Sequence, residues 1–128
     1  MTSIEVPYSI AAALPTLAVV DITNEVSREV AESAHDRGLA YVSSGPGLSL
    51  VRVNERESGF FEDLECLLAR LVPNDKPDRE RLVATLLGPR TECIPFQDNR
   101  LCLGQWQRVL LVSLDATHRH DWTVTLLG

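Results

Sequence analysis

The last third of the chain is built from short strand patterns, and these constrain the fold more than any other part of the sequence. Thr91–Phe96 and Arg100–Gly104 flank a three-residue loop that ends in Asn99, a residue suited to the left-handed conformation of a hairpin turn. Gln107–Leu114 is a long apolar run, and Asp121–Leu127 alternates apolar side chains with threonines. This part of the chain is therefore predicted to be β-structure.

Helix patterns lie between the earlier strand patterns. Strands are predicted at Ile4–Ile10, Thr16–Ile22, Leu39–Ser43 and Leu48–Val53. The first helix is predicted to begin with Thr23 as its N-cap and to stop at Gly38. Strands clustered at the end, with three helices between earlier strands, predict one α+β domain, 1–128, with a largely antiparallel sheet. Any site must then lie in loops at the sheet ends.

The second helix is predicted over Gly59–Leu71 and the third over Arg79–Leu87. In the second helix an apolar stripe is assigned to the core, and the charged residues between its members are assigned to water. The stripe is Phe60, Leu64, Leu67, Leu68 and Leu71, and the water-facing residues are Glu62, Glu65 and Arg70.

Charge and cysteine usage exclude several classes of protein. Twelve basic and 18 acidic residues give a net charge of -6, which disfavours non-specific binding to nucleic acid or to an anionic membrane. No stretch reaches the ~18 uninterrupted apolar residues of a membrane span. Three cysteines form no disulfide framework, and the apolar segment Ile10–Val20 lacks the basic flank of a signal peptide. We expect a cytoplasmic protein with no nucleic-acid or membrane partner.

Five short motifs follow one another along the chain: Asp21–Val26, Asn54-Glu55, Leu71–Pro73, Leu86–Gly88 and Gly104–Gln107. Their sequences and their order resemble those of the YjbQ-like family. The resemblance runs from about Val19 to Gly128, and it also places Asp63 at an aspartate position of the family. It implies the family's fold, a compact homotrimer and a link to secondary thiamine-phosphate synthase activity.

The chain departs from this family at the positions of three histidines. The resemblance places them at Pro46, in the shortened loop Asn74–Asp78 and at Arg81, and it places a glutamate at Ser113. A divalent metal needs imidazole or carboxylate ligands, which proline and guanidinium side chains do not supply. We therefore predict no metal, no cofactor and no histidine-based acid–base catalysis.

Other histidines and cysteines have both a chemical and a structural interpretation. His118 and His120 flank Arg119 in the turn before the last strand, and alternation could place both imidazoles on one side, as in a two-histidine metal pair. A solvated loop is the simpler interpretation, because no third ligand is nearby. Cys93 and Cys102 lie on partner strands of the hairpin, either as a reactive pair or as small buried apolar residues; the second is preferred. Cys66 is assigned to core or interface packing.

Two segments are candidates for anion binding. Ser44, Gly45 and Gly47 supply hydroxyls and backbone amides that suit an anion cradle, although the segment leads into a strand and an ordinary turn is the alternative. Arg81 is a candidate guanidinium fork, with Arg79 and with Arg52 or Arg56, for phosphate or carboxylate. The alternative is a solvated helix face or a salt bridge to a neighbouring subunit.

The remaining candidates lie near two strand ends. Asn54 and Glu55 either orient a ligand or satisfy backbone groups at the end of their strand. For Trp106 and Gln107 the structural interpretation is a buried indole bonded to a neighbouring amide. The resemblance implies a trimer to which this region contributes, so packing at a subunit contact is preferred.

Three functions are consistent with these residues. The first is a divergent YjbQ-like protein that has lost the family's histidine site and acts as a non-catalytic or altered homotrimer that binds a small anion. The alternative is an enzyme with residual thiamine-phosphate-synthase-like activity that uses Glu55, Asp63 and serines. The third is a purely structural oligomer that binds another protein.

Overall fold

Two four-stranded antiparallel sheets and three helices form the part of the chain that the computed structural model describes. That part covers residues 8–9, 18–45, 49–73, 75–88, 90–114 and 121–128. In chain order the elements are β1 Tyr8–Ser9, β2 Ala18–Asp21, α1 Thr23–Glu32, β3 Arg37–Ser44, β4 Ser49–Glu55, α2 Ser58–Leu71, α3 Arg79–Leu87, β5 Thr91–Gln97, β6 Arg100–Leu101, β7 Gln107–Ser113 and β8 Trp122–Leu127. The predicted α+β fold and the antiparallel pairing are confirmed.

The first sheet has the strand order β1-β2-β7-β4, and the second has β6-β5-β3-β8. Strand β7 is buried on both faces from Val109 to Ser113 because it lies between two other layers. Its residues Val109 and Leu111 belong to the core cluster shared with the second sheet. Leu110 and Val112 instead pack in the cluster that contains α2 and α3. The described part is therefore layered as second sheet, first sheet, and α2 with α3, whereas α1 packs in the clusters that contain the second sheet.

The start of α1 differs from the prediction. Ile22 is the N-cap, and Thr23 is the first helical residue. The Thr23 hydroxyl donates to Oδ1 of Asp21 at 2.6 Å and accepts from the Val109 amide at 2.7 Å. Threonine therefore ties the helix to β2 and β7 and does not cap the helix, because the buried carboxylate two residues earlier is the stronger partner.

Gly38 does not terminate α1, which ends at Glu32. It lies in β3, where its φ is +157°. A Cβ at this position would lie 1.9 Å from the carbonyl oxygen of Leu127. Glycine is needed here because β8 approaches the β3 backbone closely.

The prediction for the buried face of α2 is wrong for several residues. Phe61, Glu65 and Leu68 are buried, whereas Phe60, Leu67 and Leu71 are 45%, 49% and 60% exposed. The apolar arc of this helix is wider than its contact with the sheet. The sheet covers the side of the arc that includes Glu65 and leaves the other side uncovered.

The hairpin is tighter than predicted. Asp98 and Asn99 both have positive φ, 53° and 59°, and Gln97 pairs directly with Arg100. Two left-handed residues form the two-residue turn that suits the twist of paired strands. The third helix and the inward face of β8 agree with the prediction, since Trp122 is buried and Thr123 is exposed.

Only Tyr8–Ser9 of the first predicted strand falls within the described residues, and it pairs with β2. No helix of the described residues is long and apolar enough to cross a membrane.

Candidate functional site

The carboxylate of Asp21, at the end of β2, is the centre of the main polar cluster. It is 5% exposed. Oδ1 accepts hydrogen bonds from the amide of Thr23 at 3.0 Å and from its hydroxyl at 2.6 Å. Oδ2 accepts from Nε of Arg108 at 2.7 Å and from Nη1 of Arg56 at 3.4 Å. Two guanidinium groups thus converge on one buried carboxylate.

This environment lowers the pKa of Asp21 below its ordinary value of 3.8. Burial alone raises the pKa of the carboxyl, since it disfavours the charged form. The hydrogen bonds from Arg108 and Thr23, together with the positive charge of Arg108, outweigh burial and favour the ionised form. Asp21 is therefore an anion at neutral pH and holds both arginines in place.

Trp106 lies in a turn beside this cluster. The Gln107 amide donates to the Gly104 carbonyl at 3.1 Å, and the Gly104 amide donates to Oε1 of Gln107 at 2.7 Å. The turn places the indole in solvent, where it is 68% exposed. The indole is thus not buried within one chain, because the Gln107 side chain closes the turn, and its packing at a subunit contact stays a prediction.

An open cleft of about 620 Å³ connects Trp106 with the arginines. It is lined by Glu55, Arg56, Glu57, Gln105, Trp106 and Arg108, and we call it the Trp106 cleft. The pairing of β4 with β7 builds one wall, since Asn54 lies opposite Arg108 and Glu55 opposite Gln107. Of the predicted site residues, this ladder brings together Asn54, Glu55, Trp106 and Gln107.

Two residues of this cleft were missed by the sequence analysis as site residues. Glu57 is the N-cap of α2, and its carboxylate accepts from the amides of Gly59 and Phe60, both at 2.8 Å. Arg108 is the single charged residue in the apolar run of β7, and this isolated charge is the sequence signal that could have identified it as a site residue. A charge inside a buried strand needs a partner, which here is Asp21.

A second cavity, of about 120 Å³, lies between the first sheet and the helices α2 and α3. We call it the sheet–helix cavity. Asn54 lines it, together with Arg52 from the same strand. Nη1 of Arg52 donates to the carbonyl of Leu87, near the end of α3, at 2.7 Å. Asn54 thus takes part in the ladder of the Trp106 cleft while its side chain faces the sheet–helix cavity.

The chain matches the family model described as "UPF0047 protein YjbQ-like" over residues 13–128. It belongs to the YjbQ-like family. An Archaeoglobus fulgidus UPF0047 protein is 34% identical over 106 residues, which cover 76% of this chain and 81% of that protein.

Solved structures of YjbQ-like proteins share this fold. One from Clostridium acetobutylicum superposes with a TM-score of 0.79 at 22% identity, covering 95% of this chain and 99% of that one. One from Sulfolobus solfataricus, described as of unknown function, has a TM-score of 0.76 at 27% identity, covering 96% and 94%. The YjbQ-like fold is therefore established for this chain, whereas its function has to be argued from its own residues.

Of the positions at which the resemblance placed histidines and a glutamate, the structure describes Arg81, Ser113 and residues 75–78. Arg81 is exposed on α3 and lines neither the Trp106 cleft nor the sheet–helix cavity. Ser113 is buried in β7. Position 46 lies outside the described residues, as do His118 and His120. Among the described residues, no group of three or more His, Cys, Asp or Glu could hold a metal ion.

The arginine fork around Arg81 stays a prediction, since Arg81 is exposed on α3 and each of its expected partners bonds another group. Arg79 is 6% exposed, and its Nε donates to the carbonyl of Val72 at 3.0 Å. Arg52 is bonded to Leu87, and Arg56 to Asp21. Anion binding by Arg81 alone stays a prediction.

Asp63, exposed on α2, lines neither the Trp106 cleft nor the sheet–helix cavity.

The predicted anion cradle at Ser44 and Gly45 has both of these amides in use. The Ser44 amide donates to the carbonyl of Arg90 at 2.9 Å, and the Gly45 amide donates to that of Asp121 at 2.7 Å. The Ser44 hydroxyl donates to the carbonyl of Ser49 at 2.9 Å. These bonds favour the turn interpretation. Gly47 lies outside the described residues.

All three cysteines are exposed, so the assignment of Cys93 and Cys102 to the core is wrong. The β5–β6 hairpin places the side chains of Cys93 and Cys102 on the outer face of the second sheet. Cys93 lies opposite Tyr41 on β3, and its thiol raises the pKa of the Tyr41 phenol. Cys66 is exposed on α2, so it is not a core residue of the single chain.

Proposed function

We propose that this YjbQ-like protein has lost the family's histidine chemistry and acts as a non-catalytic or altered homotrimer that binds a small anion in the Trp106 cleft. The observation that carries the proposal is the convergence of Arg56 and Arg108 on Asp21 beside an exposed indole.

The guanidinium groups of Arg56 and Arg108 offer N–H donors to an anion in the cleft. Their charges are balanced by the carboxylates of Asp21, Glu55 and Glu57, so directional hydrogen bonds and not net charge carry the proposal. The arginine side chains are 36% and 37% exposed, which leaves part of each accessible to a ligand. Charge-assisted bonds from guanidinium to phosphate or carboxylate are among the stronger hydrogen bonds in proteins.

The indole of Trp106 adds a flat apolar surface to this charged base. Aromatic side chains stack on planar ligand groups and bury a large area. Glu55 and Glu57 add two negative charges to the lining, so an anionic group has to bind on the side of the arginines. The best ligand therefore carries one compact anionic group and one planar ring.

Phenyl phosphate is expected to quench the emission of Trp106 in a saturable way, because it combines both groups. Replacing Arg56 with glutamine is expected to weaken binding about tenfold or more, the effect of losing one charge-assisted hydrogen bond. The measurement is a fluorescence titration, with Trp106→Phe to isolate the signal of the buried Trp122.

Arg100→Gln is the matched control for this titration, since it removes the same charge from the exposed hairpin outside the cleft. Non-saturable quenching, or an equal loss of affinity in the Arg100 variant, would contradict the anion site.

The homotrimer is supported by the uncovered apolar side chains of α2 and α3. Those more than a third exposed are Phe60, Leu67, Leu71, Leu82 and Leu86. Exposed apolar patches of this kind mark contacts between proteins. Trp106, which was expected at a subunit contact, is a further exposed apolar residue.

Light scattering on the purified protein is expected to give three times the chain mass of 14.2 kDa. The double variant Leu67→Glu/Leu71→Glu is expected to give the mass of one chain, because it places two charges in the apolar contact. Leu127→Glu, on the second sheet, is the matched control and should stay trimeric. A monomeric wild-type protein would refute the assembly, and dissociation by Trp106→Glu alone would place the contact at the turn.

Residual thiamine-phosphate-synthase-like activity is the second candidate function. The observation in its favour is Glu55, an exposed carboxylate on the rim of the Trp106 cleft. The position of Asp63 does not support it, since that residue lines neither cavity. Failure of the wild-type gene to rescue a strain that requires thiamine would exclude this function.

A further inference from the structure

We propose that the sheet–helix cavity binds a small apolar carboxylate, with its hydrocarbon part inside and its carboxylate on Arg52 at the mouth. The site shares no residue with the Trp106 cleft, so the inference does not depend on anion binding in that cleft; Phe60 is the one lining residue that it shares with the apolar surface assigned to the trimer.

The walls of the cavity are apolar on every side that the structure describes. The sheet contributes Leu50, Leu110 and Val112, and the helices contribute Phe61, Leu64 and Leu87. Leu50 and Leu110 are almost fully buried, at 2% and 0% exposed. A dry apolar void of about 150 Å³ is large enough to bind benzene, so a cavity of about 120 Å³ suits a single ring or a short branched chain.

The mouth of the cavity is polar because of the alternation along β4. Leu50, Arg52 and Asn54 lie two residues apart and face the helices, while Val51 faces the second sheet. This face of the strand therefore changes from apolar to polar toward its end. A ligand that enters with its apolar end first has its other end beside the guanidinium of Arg52 and the amide of Asn54.

The Arg52 side chain is held at the mouth by its bond to the Leu87 carbonyl. That bond occupies one of the five N–H donors of a guanidinium group, and the side chain is exposed. The remaining donors suit the planar, bidentate geometry of a carboxylate. A doubly charged phosphate is a poorer match, because one guanidinium beside apolar walls leaves part of its charge uncompensated.

Phe60 is positioned to cover a bound ligand. It lines the cavity, is 45% exposed and meets Phe61 edge to face, with ring centroids 5.4 Å apart. Closing the ring over the mouth would remove apolar surface from water.

The alternative interpretation is that Arg52 only terminates α3 by capping a carbonyl of its last turn. The two interpretations differ in how the protein responds to ligands. A cap alone gives no preference among small molecules, whereas the proposed site requires a ring and a charge together.

Benzoate, benzyl alcohol and acetate separate these requirements when titrated into the full chain and followed by NMR. Benzoate is expected to shift the methyl signals of Leu50 and Leu64 in a saturable way. Benzyl alcohol keeps the ring without the charge and acetate keeps the charge without the ring, so both should bind at least about tenfold more weakly. Equal binding of benzoate and benzyl alcohol, or no saturable benzoate shift, would overturn the proposal.

Arg52→Met keeps the aliphatic stem of the side chain and removes its charge. It is expected to weaken benzoate binding about tenfold or more and to leave the weaker binding of benzyl alcohol unchanged. Arg70→Met, on the exposed side of α2, is the matched control and should bind benzoate like the wild type. Unchanged benzoate affinity in Arg52→Met would refute the role of the guanidinium.

Two further variants keep the test decisive. If Arg52→Met fails to fold, Arg52→Lys keeps the charge without the planar fork and should show an intermediate affinity; wild-type affinity in this variant would refute the fork. Arg56→Gln should leave benzoate binding intact, and Arg52→Met should leave phenyl phosphate binding intact. The two sites can therefore fail independently.

Discussion

Replacing Asp21 with asparagine is expected to lower the free energy of unfolding by about 3 kcal/mol, the lower end of the effect of breaking a buried ion pair. The carboxylate is 5% exposed and accepts four hydrogen bonds, two from arginines and two from Thr23. Asparagine leaves Arg108 without a counter-charge and turns an N–H group toward other donors. Urea unfolding at pH 7 measures the difference.

The effect of the Asp21 substitution should depend on pH in a defined direction. The pKa of Asp21 is lowered on folding, so its ionised form contributes stability that is fully present above the ordinary value of 3.8. That contribution is lost as the pH falls through the lower pKa of the folded state. The gap between wild type and Asp21→Asn should therefore be constant near neutral pH and shrink below about 3.8.

Asp63→Asn is the matched control for this pair of experiments, since it makes the same change at an exposed position on α2. It should alter the free energy of unfolding by no more than about 0.5 kcal/mol. A loss at Asp63 equal to the loss at Asp21, or a gap that widens in acid, would contradict the assigned role of the buried carboxylate.

Replacing Glu65 and Arg79 together with methionine is expected to raise the free energy of unfolding at pH 7 by about 1 to 3 kcal/mol. Glu65 is 2% exposed with no hydrogen-bond partner on either oxygen, and Arg79 is 6% exposed with an unbonded Nη2. Two methionines fill a similar volume without buried charge. Arg79→Met alone should instead lower the free energy of unfolding by about 3 kcal/mol, because the buried carboxylate of Glu65 then loses its nearby cation.

The pH dependence of Glu65 has the opposite sign to that of Asp21. Burial raises the pKa of Glu65, the charge of Arg79 lowers it and that of Glu62 raises it, with a net upward shift from 4.5. The folded protein then keeps a proton that the unfolded chain loses. Stability should fall as the pH rises from about 4.5 through the raised pKa and level off above it.

Glu65→Met should abolish this slope, whereas Glu62→Met, on the exposed face of the same helix, should only reduce it. A double-mutant cycle with the two single variants and the double variant measures the interaction free energy between Glu65 and Arg79. Additive single effects would show that the two side chains do not interact.

Local patterns predicted the elements of this fold better than the faces they bury. The bounds of α3 and the alternation of β8 follow from turn residues and periodicity within the segment itself. The buried side of α2 does not, because its apolar arc is wider than the sheet can cover. Only the packing of β4 and β7 beneath the helix determines that Glu65 is inside and Leu67 outside.

The candidate site was predictable in part for a similar reason. Asn54, Glu55 and Trp106 were identified from short motifs, and the pairing of β4 with β7 brings them to one end of the sheet. Arg108 and Asp21 meet across 87 positions of sequence, a contact that no local pattern encodes. The exposure of Trp106 depends on the turn that Gln107 closes, and that bond was not foreseen.

The place of β7 in the first sheet sets the order in which the chain can fold during synthesis. Among the described strands, β2 and β4 are joined only through β7, which is synthesised after residue 106. Until then the early strands lack their shared hydrogen-bonding partner, and the apolar sides of β4 and α2 remain open to other chains. Nascent chains that stall before β7 should therefore be aggregation-prone, and chaperone demand should fall once β7 and then β8 complete the two sheets.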